Sequence, residues 1–204
     1  MHRQLVFLFM TLFGCGSADE PSATTQEASS TATGQAAEVT EAVAPTTPPQ
    51  TNGVLFESEM GGYSVRFPSQ PQTQVEPLGT LPDGTILNIE ITMHEASSGL
   101  TLGATLTEVP PFPEERIQSA LDDGVQGAVA NVPGAQLDSV ETIEIKGHPG
   151  RSFKMHGTVE GLKFEGRQLI LYKAGSLVQF MSIAPEGLTE DPSIEAFFAS
   201  IEHK

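Results

Sequence analysis

The sequence predicts an α+β domain in which an antiparallel β-sheet, built as a meander, is flanked by helices. Three observations carry that expectation. Apolar and polar residues alternate through 84–94, with Leu87, Ile89, Ile91 and Met93 on one side and Asn88, Glu90, Thr92 and His94 on the other. That period of two is the pattern of a half-buried strand. Short turns join strand candidates: Glu160-Gly161 lies between Val159 and Leu162, and Ala174-Gly175-Ser176 follows the next run. Two further segments repeat apolar residues at helical spacing instead.

In chain order, strands are expected over 54–58, 63–67, 84–94, 100–109, 139–146, 151–159, 162–173 and 177–184, and consecutive hairpins make them a meander. A helix is expected over 113–132. Pro113-Glu114-Glu115 suits a first turn, Ile117, Leu121, Val125, Ala128 and Val132 recur on one face, and Pro133-Gly134 ends it. A second helix starts from Asp191 as N-cap with Pro192 at its first position, and lines up Ile194, Phe197, Phe198 and Ile201.

The chain has 204 residues, a length that suits one domain with extensions. It carries 10 Lys and Arg against 26 Asp and Glu, a formal net charge of -16. Charged residues are only 18%, so the acidity reflects a shortage of bases. Nucleic-acid binding needs a clustered positive footprint, and this composition argues against it. With one Cys there is no disulfide within the chain, no Cys-based zinc site and no CxxC redox pair.

Residues 5–13, Leu-Val-Phe-Leu-Phe-Met-Thr-Leu-Phe behind Arg3, form an apolar run that rises only about 13 Å as a helix, against a hydrocarbon core of roughly 30 Å. Residues 1–14 therefore read as a signal peptide and not a membrane span. The following Leu12-Phe13-Gly14-Cys15 resembles the lipobox of bacterial lipoproteins. In that family the Cys thiol is diacylglycerylated, the leader is cut just before it, and the new amino group is usually acylated. The resemblance implies Cys15 as the lipidation site, with Leu12, Phe13 and Gly14 as its cleavage context and palmitate-like chains as a membrane anchor. Gly16, in place of Asp, implies export to the outer membrane. An ordinary secretory leader ending at the chain's sole Cys is the plainer alternative.

Residues 16–52 number 37, of which 20 are Ser, Thr or Ala; Pro45, Pro48 and Pro49 cluster near the end, and there are five acids and no base. Such a stretch buries too little apolar surface to offset its ordering entropy, so 15–52 reads as a lipidated Cys with a disordered tether. As a flexible coil it would span about 35 Å root-mean-square. Residues 53–204 form the globular domain.

Within that domain four stretches are similar to PsbP-like domains: Gly62-Tyr63-Ser64-Val65-Arg66-Phe67-Pro68, Gly147-His148-Pro149-Gly150-Arg151-Ser152-Phe153, the paired run 167–184, and Phe197-Phe198-Ala199-Ser200-Ile201. The resemblance spans 54–202 and implies the α/β/α sandwich of the photosystem II extrinsic protein, a Ran-binding nuclear import factor and many bacterial lipoproteins. Those relatives are mostly non-catalytic accessory or binding proteins. The shared motifs mark turns and core positions, so they transfer no ligand residues.

Catalytic motifs are missing from the sequence: it has no G-x-S-x-G elbow, no H-E-x-x-H, no Walker loop and no Asp-rich calcium loop. No cofactor is implied, and no catalytic or metal residue is assigned. His94, His148, His156 and His203 read as solvated histidines; a metal site would need strands 84–94 and 151–159 side by side. Glu114-Glu115 and Asp122-Asp123 read as a solvated helix face, since neighbours on a helix diverge by about 100°. One charge feature stands out. Six of the domain's nine bases fall in 146–173, giving that segment +4 while the rest of the domain sums to -16. A two-residue turn at Glu160-Gly161 would set Lys154, His156 and Thr158 opposite Arg167, Glu165 and Lys163, all on one face. Lys154, His156, Lys163 and Arg167 are thus a candidate docking patch for an acidic protein or an anionic envelope component. The plainer alternative is a hairpin that balances acidic neighbours in its own fold.

Together these features predict a lipid-anchored, non-catalytic binding or accessory protein of the cell envelope, joined to the membrane through its N-terminal lipid. The alternatives are an envelope hydrolase with a cryptic Ser/His site and a purely structural envelope protein.

Overall fold

Hairpin turns and the alternation of side chains set the order of the central sheet. The computed structural model describes residues 53–203 apart from Ala174; the expected signal peptide, Cys15 with its expected cleavage context, and the expected tether lie outside the described residues. Seven strands pair antiparallel in the order β3 (Gln72–Thr80), β4 (Ile86–Glu95), β5 (Thr101–Glu108), β9 (Ser176–Pro185), β8 (Leu162–Lys173), β7 (His148–Val159) and β6 (Gln136–Ile145). Two meanders, β3 to β5 and β6 to β9, are thus joined side by side through β5 and β9, with α1 (Glu114–Ala130) crossing between them. A smaller antiparallel sheet pairs β1 (Val54–Glu57) and β10 (Glu202–His203) on either side of β2 (Tyr63–Phe67), and α2 (Pro192–Ala199) precedes β10.

Successive residues of β8 point to opposite faces and so define the layers. Ile170 and Tyr172 pack with Phe153, Leu177 and the Leu121, Val125 and Ala128 stripe of α1. Leu169 and Leu171 pack on the other face with Phe180, Leu102, Tyr63, Val65 and Phe67, and with Ile194 and Phe197 of α2. The sheet is therefore covered on both sides, by α1 on one and by α2 with the small sheet on the other. The α+β sandwich expected from the sequence is present. At the start of α2 the expected cap is made: the Asp191 carboxylate accepts from the Ser193 amide at 2.9 Å and from its hydroxyl at 2.6 Å, and these bonds hold its pKa below the usual range.

Two expectations are corrected. First, β3 and β10 lie outside the strands that the sequence predicts. β3 is an edge strand, mostly exposed, with a bulge between Pro77 and Gly79, so it lacks the apolar alternation that marks a half-buried strand. In β4 the polar row is the one that faces inward: Glu90 and Thr92 are fully buried, whereas Leu87, Ile89, Ile91 and Met93 are half-buried on the side that carries α1. The reason is that Tyr63 and the turn between β1 and β2 sit over Glu90 and satisfy it. Glu114, Glu115, Asp122 and Asp123 lie on an exposed helix face as expected. From that face Asp122, 60% exposed, also accepts from Arg151 Nε at 2.7 Å and so partners a buried cation of β7.

Candidate binding face and cleft

The outward side of the β7–β8 hairpin carries the residues singled out by charge. Phe153, Met155 and Phe164 turn beneath α1, which leaves Lys154, His156 and Thr158 of β7 and Lys163 and Glu165 of β8 exposed, with Arg167 half-buried. The register is the one a two-residue turn dictates: Thr158 opposite Lys163, His156 opposite Glu165, and Lys154 opposite Arg167. Glu160 and Gly161 have φ of 52° and 83°, the pair of positive values that a type I′ turn requires.

Acids from neighbouring elements reach three of the four cationic positions. His156 Nδ1 is 2.5 Å from Asp138 of β6, Lys163 Nζ is 3.2 Å from Glu186, and Arg167 is 2.7 Å from Glu195 of α2. The Arg167 guanidinium also lies 4.3 Å from the centre of the Phe198 ring. Exposed pairs of this kind contribute about 0–1 kcal/mol each, so they shape the surface field more than the stability. Lys154 makes no ion pair among the described residues. The segment that carries +4 in the sequence is therefore a surface of mixed charge in space, with Lys154 as its unneutralised cation.

Beside Lys154 the sheet opens into a cleft of about 240 Å³ between strands β7, β8 and β9 and the start of α2. Lys154, Arg167 and Ser182 stand side by side across three strands in one register row and all line it. Asp138, Glu165, Glu190 and Glu195 supply carboxylates to its wall. Ser182 is only 3% exposed, and its hydroxyl makes no hydrogen bond to another described residue. Among these, Asp138, Ser182, Glu190 and Glu195 are not singled out by the sequence. Nothing in their local pattern marks them, because only the pairing of β6, β8 and β9 and the placement of α2 bring them to Lys154 and Arg167.

The histidines do not converge. β4 and β7 are separated by β5, β9 and β8, which puts His94 and His156 roughly 19 Å apart at the usual strand spacing. The adjacency that a shared metal would need is absent, and no group of three metal-ligating side chains forms among the described residues. His94 Nδ1 lies 3.2 Å from Ser69 Oγ, and burial lowers its pKa, which favours the neutral ring. No carboxylate orients that ring among the described residues. His148 opens β7 and His203 lies in β10.

The environment of Glu90 is a second feature that the sequence does not announce. Its Oε2 accepts from the amides of Glu59 at 2.7 Å and Met60 at 3.3 Å, and its Oε1 accepts from the Tyr63 hydroxyl at 3.1 Å. Burial, then the Glu90 charge, push the Tyr63 phenol far above its ordinary pKa. The cluster is a staple that ties the turn between β1 and β2 to the large sheet.

Fold and surface together define an α+β domain with a charged cleft beside a long hairpin. No protein-family model matches the chain, nor does any curated protein. Among solved structures, the solution structure of cyanobacterial PsbP (CyanoP) from Synechocystis sp. PCC 6803 is similar over 80% of this chain and 99% of that one, with a TM-score of 0.51 and 12% identity. This is a likeness of fold. A crystal structure from Bacteroides thetaiotaomicron matches 74% of this chain at 13% identity and a TM-score of 0.47; the chain spans about half of that protein, 48% of its length. LpqN of Mycobacterium tuberculosis, described as involved in cell envelope biogenesis, matches 66% of this chain and 85% of its own at 12% identity and a TM-score of 0.45.

Proposed function

We propose that the chain is a lipid-anchored lipoprotein of the cell envelope, borne on the outer membrane, whose domain is a non-catalytic binding or accessory module. The observation that supports this most is Cys15: the only Cys of the chain stands at the end of a short apolar leader, in a lipobox-like setting. The PsbP-like fold that follows the tether agrees with it, since such domains are mostly accessory proteins. The docking face is the outward side of the β7–β8 hairpin, with Lys154, His156, Lys163 and Arg167, and its partner is an acidic protein or another anionic envelope component. Metabolic labelling with radioactive palmitate tests the anchor. The full chain takes up label and sediments with membranes, and Cys15→Ala loses both. A Cys15→Ala chain that still sediments with membranes would remove the anchor.

A further inference from the structure

We propose that the cleft beside the hairpin binds a small zwitterion, an α-amino acid or a short peptide with free ends, which holds its carboxylate to Lys154 and Ser182 and its ammonium to Glu165 and Glu190. The proposal rests on the binding-module reading and adds to it a small-molecule site in the cleft, beside the docking face and distinct from it. The charges left over in the cleft carry it. Arg167 and Glu195 neutralise each other at 2.7 Å, and Asp138 is engaged by His156. Lys154, Glu165 and Glu190 remain, one cation and two anions without an ion pair among the described residues, all lining the same cleft. Lys154 and Glu165 are diagonal neighbours across the hairpin, so both signs of charge are offered within the span of one small molecule.

A simple anion suits this wall poorly. It would meet Lys154 but also Glu165 and Glu190, in a domain whose sequence already sums to -12. A simple cation would be repelled by Lys154. A ligand that presents one group of each sign, a few ångströms apart, answers all three. Ser182 lines the same wall, 3% exposed as a residue and with no side-chain hydrogen bond among the described residues, so its hydroxyl is available at the cleft surface. Its O–H can donate to a ligand carboxylate that lies along the Lys154–Arg167–Ser182 row and reaches the Lys154 ammonium. At about 240 Å³ the cleft is smaller than the usual range for drug-sized ligands, which fits an amino acid or dipeptide.

The test is calorimetric titration of the full chain in detergent micelles with alanylalanine, N-acetyl-alanylalanine and alanylalanine amide. Free alanylalanine is expected to bind saturably, and each blocked form at least about tenfold more weakly. Lys154→Met and Glu190→Gln should each weaken alanylalanine by at least about tenfold, and because both side chains are exposed, the melting temperature should stay unchanged. A blocked form that binds as well as the free dipeptide overturns the proposal, as does the absence of saturable heat. The anchor is read separately. If alanylalanine gives no heat while Cys15→Ala leaves the membrane, the zwitterion falls and the lipoprotein stands.

Discussion

A carboxyl group with no access to water needs protein donors in place of its hydration. Glu90 has three such donors, from Glu59, Met60 and Tyr63. Glu90→Ala removes the acceptor for all of them and leaves a void, so it should cost about 2–4 kcal/mol in urea unfolding, and Glu90→Gln less, because one oxygen remains. Tyr63 gives the same cluster a pH signature. Its phenol keeps its proton in the folded chain at pH values where the unfolded chain releases it, so the folded state binds more protons and stability falls as pH rises above about 10. The urea midpoint should decline over that range, and more gently in Tyr63→Phe; equal slopes would show that the phenol is not the titrating group. None of this is legible in the alternation of β4, which ranks Glu90 with Asn88 and Thr92 as a solvent-facing row. The donors that reverse its burial lie 27 to 31 residues earlier in the chain. Strand period tells which residues share a face, and it leaves open which face is covered.

The β7–β8 hairpin shows the opposite case, an element whose sequence settles its geometry. Two long runs separated by Glu160-Gly161 can pair in one way through a two-residue turn, and every pair from Val159–Leu162 to Gly150–Leu171 follows from it. The same turn contains a cost. Glu160 sits at φ 52°, where a β-carbon crowds the backbone, and Asn tolerates that region better. Glu160→Asn is therefore expected to raise stability by about 0.5–1 kcal/mol, read as a higher urea midpoint with an unchanged slope. A lower midpoint would mean that the Glu160 side chain contributes something the turn geometry does not explain. β3 is illegible for a related reason. Its Gln72–Thr80 run includes Pro77 and Gly79 and leaves most side chains in water, so it forms because β4 offers it an edge, and its own residues hardly ask for a strand.

Across the whole molecule, the distribution of charge is only half readable in the sequence. The clustering of bases in 146–173 is visible there, but the acids that answer them, Asp138, Glu186 and Glu195, come from 18 to 28 residues away and meet them only on folding. That pairing changes how the proposed docking face should be probed. Arg167 is tied to α2 through Glu195 and Phe198, so reversing it would disturb the fold as well as the surface. Lys154→Glu with Lys163→Glu alters exposed positions instead, and should abolish capture of an acidic envelope partner while the melting temperature stays within a few degrees. A partner retained by this variant would show that the hairpin is not the contact. The small sheet has a consequence of another kind, a mechanical one. A pull transmitted through residue 53 reaches β1 first, and β1 is a four-residue strand that, among the described residues, pairs with β2 alone. Val54 lies against Phe67, the residue at which β2 runs on into the domain, so the loaded ends are neighbours. The pairs then separate in succession: Val54–Phe67, Leu55–Arg66, Phe56–Val65, Glu57–Ser64. Rupture would therefore begin as the unzipping of a short, mostly exposed strand. The seven-stranded sheet feels the load only after that fuse has opened.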